Sequence, residues 1–151
     1  MEKVIWLKDG MAFDETDGHI DDVCFFVRPG VLALSWTDDE DNPQYPNLKA
    51  AYDVLSEATD AKGRTFEIHK IPIPGIIRIS EEESAGVDLC KDAASREADL
   101  PLAITYINSY FVNGACWFPS TAIRWTRWRA ICSPSSCPTA RSSRSTPASG
   151  R

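Results

Sequence analysis

Two apolar runs joined by a short turn constrain the fold of this chain most strongly. Val23–Val27 and Val31–Trp36 are separated only by Arg28-Pro29-Gly30, and proline and glycine together favour a turn. Short apolar runs bounded by turn residues are typical of buried strands. The sequence therefore predicts a hairpin, or two neighbouring strands, at the centre of the fold.

A helix and another strand follow the two runs. After Pro46-Asn47, the helix presents apolar residues on one face at three- and four-residue spacing, and we place Gly63 near its C-cap. Phe66–Ile71 alternates as a strand does, with Phe66, Ile68 and Lys70 on one side. The order strand, strand, helix, strand predicts an α/β fold. The helix face is formed by Leu48, Ala51, Tyr52, Leu55 and Ala58.

The remaining segments give weaker signals. Glu2–Leu7 predicts a short buried strand with Trp6 in the core. Ser80–Glu83 predicts a loop or a capped helical turn. Leu100–Phe118 returns to a core-like composition.

The stretch from Asp14 to Asp22 holds five acids and one of the two histidines of the chain. If it is extended, Asp17, His19 and Asp21 share one face, with Glu15 in line behind them. Such a strip suits a planar cation such as a guanidinium, which carboxylates bind through two hydrogen bonds. The alternative is a solvated acidic turn, and composition alone slightly favours it.

Composition indicates a globular protein and excludes some classes of ligand. The chain has 151 residues, 43% of them apolar and 25% charged, and no apolar run reaches the roughly 18 residues of a membrane helix. All 22 acids precede Arg124, so the body of the chain is acidic. An acidic body argues against nucleic acid as a ligand and favours a small cationic substrate.

The cysteine and histidine content predicts neither a disulfide framework nor a metal site. The chain has five cysteines without a Cys-x-x-Cys pair, and only two histidines. The N-terminus lacks a signal-peptide pattern, so we expect a cytoplasmic protein.

Several motifs in order resemble the agmatine deiminases of the pentein, or guanidino-group-modifying, superfamily. The resemblance covers about the first three quarters of the chain and well under half of the family fold. It runs from the acidic stretch through Pro29-Gly30 and four further segments to Asn113-Gly114. Those segments are Trp36-Thr37-Asp38-Asp39-Glu40, Ala50-Ala51-Tyr52-Asp53-Val54-Leu55, Thr59-Asp60-Ala61-Lys62-Gly63-Arg64 and Tyr106-Ile107-Asn108-Ser109-Tyr110.

The resemblance implies one to two blades of a five-bladed α/β propeller within residues 1–115. It implies hydrolysis of agmatine to N-carbamoylputrescine and ammonia, with no cofactor and with a parent enzyme that forms homo-oligomers. His19 would be the general acid and base and Asp21 a clamp on the guanidinium. Glu15 and Asp17 would line the substrate pocket.

The resemblance also implies that parts of the site are missing. The nucleophilic cysteine and the first clamp aspartate of the family have no counterpart here, and we interpret Cys24 as a buried thiol. We therefore expect this chain to be inactive alone. The alternatives are a fragment of a peptidylarginine deiminase and a binder of cationic ligands that does not catalyse a reaction.

Residues 116–151 do not resemble a folded protein. They are rich in Ser, Pro, Thr and Arg, and we interpret them as a disordered tail produced by a frameshift. Codons can be chosen for residues 115–128 that, in another frame, read Val-Leu-Val-Pro-Glu-Tyr-Gly-Asp-Pro-Val-Asp-Glu-Met-Ala, which resembles a strand, a turn and the acidic start of a helix. A functional basic tail is the alternative.

Overall fold

A three-stranded sheet lies at the centre of the fold. The computed structural model describes residues 2–15, 18–86, 96–112 and 115–117. The strands lie in the order β1-β2-β3, with β1 antiparallel to β2 and β2 parallel to β3. Helix α1 connects the two parallel strands, which makes the fold α/β, as predicted. The elements are β1 Cys24–Arg28, β2 Val31–Trp36, α1 Tyr45–Glu57 and β3 Glu67–Pro72.

Strand β2 is buried along its whole length. One of its faces contributes Leu32 and Leu34 to a cluster beneath α1, and the other contributes Ala33 to a second cluster with Ile71 and Ile107. A central strand covered on both faces is apolar throughout rather than alternating. The predicted strand positions for both runs are confirmed to within one residue.

Helix α1 packs the predicted face on the sheet. Leu48, Ala51 and Leu55 are its buried residues. The predicted helix end is wrong, because the helix stops at Glu57 and Gly63 lies in a separate turn with φ +77°. In that turn the side chain of Asp60 accepts hydrogen bonds from Arg64, which lower the pKa of the Asp60 carboxyl.

The predicted alternation in β3 is confirmed. Phe66 and Ile68 pack against the cluster beneath α1, whereas Ile71 belongs to the opposite cluster. Lys70 lies on the α1 side, with its Nζ 3.4 Å from the centroid of the Trp36 ring. The ammonium therefore makes a cation–π contact in place of an apolar contact.

The predicted strand at Glu2–Leu7 is wrong. The structure places no strand at residues 2–7, because none of the described strands pairs with this segment. Ile5 and Leu7 pack against the core, whereas the alternate residues Val4 and Trp6 are exposed. Trp6 is 83% exposed, so its predicted core position is also wrong.

One short helix and two short strands follow β3 in the described part of the chain. Helix α2, Glu81–Ala85, begins with a capping box in which Ser80 and Glu83 exchange hydrogen bonds, which lower the pKa of the Glu83 carboxyl. Strands β4, Tyr110–Val112, and β5, Ala115–Trp117, form an antiparallel hairpin. Strand β5 crosses the predicted domain boundary, and residues 118–151 lie outside the described residues. None of the described helices is long and apolar enough to span a membrane.

Candidate active site

The acidic stretch ends in a 3-10 turn, Ile20–Asp22, and not in an extended strand. The extended conformation, under which His19 and Asp21 would share one face of a strand, is therefore wrong, and the alternative of a turn holds for Ile20–Asp22. Asp17 lies outside the described residues. The physical reason is local: Gly18 adopts φ +94°, which interrupts an extended backbone. The turn ends at Val23, whose N–H donates to the carbonyl of Ile20 at 3.0 Å.

The carboxylate of Asp14 closes the loop in front of the turn. Its Oδ2 accepts hydrogen bonds from the backbone N–H groups of Gly18, at 3.0 Å, and His19, at 2.8 Å. Hydrogen bonds to an ionised acceptor are stronger than neutral ones. Asp14 therefore fixes the backbone that carries His19, a role that the sequence did not reveal.

Two glycines approach each other where this loop meets the preceding chain. A Cβ on Gly10 would lie 2.4 Å from the Cα of Gly18 and 3.0 Å from its carbonyl carbon. Both neighbours are backbone atoms and cannot rotate away. A side chain at position 10 would therefore push the loop that carries His19 out of place.

We expect Gly10→Ala to lower the free energy of unfolding by about 1–3 kcal/mol, the usual cost of overpacking. Gly75→Ala is the matched control, because a Cβ there meets nothing within 4 Å and needs no positive φ. Urea unfolding followed by circular dichroism measures both variants. Equal midpoints for the two would contradict the close backbone approach.

His19 and Asp21 come together on the turn. The Nδ1 atom of His19 lies 4.0 Å from Oδ1 of Asp21, which is beyond hydrogen-bond length. Their side chains are 59% and 57% exposed, so a ligand can reach both. A carboxylate can hold a guanidinium through two N–H groups, and a histidine can exchange protons near neutral pH.

Glu15 already holds a guanidinium in this structure. Its Oε2 accepts hydrogen bonds from Arg96, at 3.0 Å from Nε and 2.8 Å from Nη2. A substrate guanidinium at Glu15 would compete with this ion pair. Sequence reasoning missed Arg96 because 81 residues separate the two partners.

Cys24 is unsuited to nucleophilic attack. Its side chain is 8% exposed, and burial raises the pKa of the thiol to about 11. The thiolate is the reactive form, so a thiol with this pKa is inert near neutral pH. The interpretation of Cys24 as a buried thiol is confirmed.

The second histidine lies apart from the turn. His69 on β3 places Nε2 2.9 Å from Oε1 of Glu67, a residue of the same strand, and is 29% exposed. Its partner is therefore a neighbour along the strand and not across it. Within the described ranges, no three His, Cys, Asp or Glu side chains are grouped closely enough to hold a metal ion.

The sequence profile of the Porphyromonas-type peptidyl-arginine deiminase family matches residues 1–122. This chain belongs to that family. The match includes the turn with His19 and Asp21, the whole central sheet and both strands of the β4–β5 hairpin.

Individual members of the family agree with this assignment. A Listeria monocytogenes relative, provisionally named agmatine deiminase 1, is 53% identical over 119 residues, which are 79% of this chain and 33% of the relative. The agmatine deiminase of Pseudomonas fluorescens is 49% identical over 120 residues, 80% of this chain and 33% of its own. This member of the family thus spans about a third of the length of these relatives.

The solved structure of the Enterococcus faecalis agmatine deiminase has the same arrangement of elements. It matches with a TM-score of 0.77 and 31% sequence identity, over 86% of this chain and 37% of that one. The α/β fold therefore corresponds to part of a pentein-type deiminase.

Proposed function

We propose that this chain carries the His19 and Asp21 part of an agmatine deiminase active site. The reaction is hydrolysis of agmatine to N-carbamoylputrescine and ammonia. The supporting observation is the exposed His19–Asp21 pair, with its atoms 4.0 Å apart, on a turn that the family match includes. A relative that bears the name agmatine deiminase is 49% identical over 120 residues of this chain.

The proposed chemistry assigns a separate task to each side chain. Asp21 holds two N–H groups of the substrate guanidinium, and Glu15 and Asp17 line the same pocket. Glu15 contributes its negative charge to the substrate only when its ion pair with Arg96 opens. A cysteine thiolate attacks the guanidinium carbon, and His19 protonates the nitrogen that leaves as ammonia. The neutral imidazole then takes a proton from water, whose oxygen replaces the sulfur and releases the product.

The nucleophile and the first clamp aspartate belong to the remaining two thirds of the family length. We propose that the intact enzyme is a cytoplasmic five-bladed propeller that forms homo-oligomers, to which residues 1–115 contribute one to two blades. Residues 116–151 are then a frameshifted tail. The family resemblance supports the propeller blades, and the composition, rich in Ser, Pro, Thr and Arg, supports the frameshifted tail. The chain alone is expected to release no ammonia.

Deimination of peptidyl arginine is the second candidate, because the matching family is described by that activity. Both substrates present a guanidinium to the same turn, so the residues on the turn do not distinguish them. Agmatine carries an amine at the far end of the molecule, whereas a peptide carries neutral amides. A comparison of agmatine with an N-acylated arginine amide separates the two candidates.

Nuclear magnetic resonance tests the proposal on this chain directly, because its two histidines give separate ring signals. Titration with agmatine is expected to shift the His19 signals and leave those of His69 unchanged. Asp21→Asn is expected to weaken binding about tenfold or more, since a hydrogen bond to a charged group contributes about 1.5–3 kcal/mol. Asp41→Asn is the matched control, because Asp41 is an exposed acid in the loop before α1.

Putrescine provides the ligand control, because it has two amines and no guanidinium. If putrescine shifts the His19 signals as strongly as agmatine does, the site recognises charge alone. If Asp21→Asn binds agmatine like the unmodified chain, Asp21 is not a clamp. Either result would contradict the proposed roles.

A further inference from the structure

Nothing in the described contacts fixes the side chains of His19 and Asp21 directly. Both side chains are more than half exposed, and Nδ1 of His19 lies 4.0 Å from Oδ1 of Asp21. Catalytic groups must be held within about 0.5 Å of their productive geometry. Their placement must therefore come from the backbone of the turn and from whatever anchors that backbone.

Asp22 is the residue that ties the turn to the rest of the fold. Its Oδ1 accepts hydrogen bonds from Thr105 Oγ1 at 3.1 Å and from Asn108 Nδ2 at 3.3 Å. Its backbone carbonyl accepts from Ser35 Oγ at 2.8 Å. Asp22 thus connects the turn both to β2 and to the segment that leads into β4.

The partners of Asp22 are themselves held in place by the core. Ser35 is 0% exposed and Thr105 is 3% exposed, and Ile107, between Thr105 and Asn108, is 1% exposed. A buried hydroxyl without a partner costs about 1–3 kcal/mol, so Thr105 favours the conformation in which Asp22 accepts a hydrogen bond from its hydroxyl. The contact is therefore built into the fold and is not an incidental surface interaction.

We infer that Asp22 is a positioning residue, which orients His19 and Asp21 through its hydrogen bonds to Thr105 and Asn108. The inference rests on the proposed function, since it concerns the same turn. Asp14 holds the chain that enters the turn and Asp22 holds the chain that leaves it. Three aspartates in one short stretch thus have different tasks: Asp14 and Asp22 fix the backbone, and Asp21 faces the substrate.

The inference depends on an acceptor oxygen and not on a negative charge. Asn at position 22 keeps an oxygen that can accept from both donors, whereas Ala removes it. Thr105→Val keeps the volume of the buried side chain but removes the donor from the other side. The three variants therefore separate a hydrogen-bonding role from a charge effect and from a packing effect.

Backbone ¹⁵N relaxation of this chain without ligand tests the inference. Order parameters at residues 19–21 are expected to fall from about 0.85 to below about 0.6 in Asp22→Ala, while those of β2 and α1 stay unchanged. Asp22→Asn is expected to keep the values of the unmodified chain. Thr105→Val is expected to lower the order parameters at residues 19–21 by a smaller amount, because Asn108 still donates a hydrogen bond to Asp22. In the double variant with Asp22→Ala, Thr105→Val is expected to cause no further decrease.

Three results would overturn the inference. The first is an unchanged order parameter at residues 19–21 in Asp22→Ala. The second is an Asp22→Asn chain as mobile as Asp22→Ala, which would assign the effect to charge. The third is a loss of order spread over the whole sheet, which would mean a purely structural role. If Asp22→Ala does not fold, Asp22→Asn and Thr105→Val still decide between these outcomes.

Agmatine added to the same samples separates this inference from the proposed function. Asp22→Ala is expected to weaken the agmatine-induced shift of His19 by about fivefold or more, and Asp22→Asn to restore it. If the unmodified chain shows no agmatine response but Asp22→Ala still loosens the turn, the proposed function fails and the positioning role of Asp22 stands. If agmatine binds equally to Asp22→Ala and to the unmodified chain, the positioning role fails instead.

Discussion

Replacing His19 by alanine is expected to lower agmatine hydrolysis about 10²–10⁴-fold, the usual contribution of a positioned acid and base. The measurement needs the missing nucleophile, so residues 1–115 of this chain replace the matching segment of the Pseudomonas fluorescens relative. In that hybrid the relative supplies the rest of the enzyme. Ammonia release from agmatine is followed at neutral pH for the hybrid and for its His19→Ala variant.

His69→Ala is the matched control for the histidine substitution. His69 lies on β3 and pairs with Glu67, so its loss is expected to change turnover less than about threefold. Circular dichroism confirms that both variants fold. A His19→Ala hybrid as active as the unmodified hybrid would remove His19 from the catalytic machinery.

Replacing Leu34 by alanine is expected to lower the free energy of unfolding by about 2–5 kcal/mol. Leu34 lies on the central strand β2, is 0% exposed and belongs to the cluster beneath α1. The substitution removes buried surface and leaves a cavity that rigid neighbours on both sides cannot fill. Urea unfolding of this chain, followed by tryptophan fluorescence, measures the change in midpoint.

Leu100→Ala provides the comparison for this core substitution. Leu100 is 43% exposed and lies outside the helices and strands, so its truncation is expected to cost less than about 1 kcal/mol. If the two variants unfold at the same urea concentration, the sheet does not form the stabilising core of the chain. A broad transition for the unmodified chain would lead to the same conclusion.

The central part of the fold was predictable because its signals are local. The turn at Pro29-Gly30, the spacing of Leu48, Ala51 and Leu55 and the alternation in β3 each lie within one short segment, and each is confirmed. The prediction of a strand at Glu2–Leu7 was wrong because an apolar run forms a strand only if a partner strand is available. Pairing depends on the rest of the fold and is not encoded in the run itself.

The candidate site was predictable in composition but not in geometry. The acidic stretch and His19 are evident from the sequence, whereas the positive φ of Gly18 turns a potential strand into a loop. Arg96 lies 81 residues from Glu15, and Thr105 lies 83 residues from Asp22. No local sequence pattern can therefore predict either contact. Contacts of this kind follow only from the folded backbone.

Ammonia release by the hybrid enzyme on agmatine tests the central claim most directly, because it asks whether the turn of this chain can serve a complete deiminase site. We expect turnover within about tenfold of the Pseudomonas fluorescens parent, and at least about 10²-fold less when His19 is replaced by alanine. A hybrid that folds cooperatively but releases no ammonia from agmatine would contradict the account.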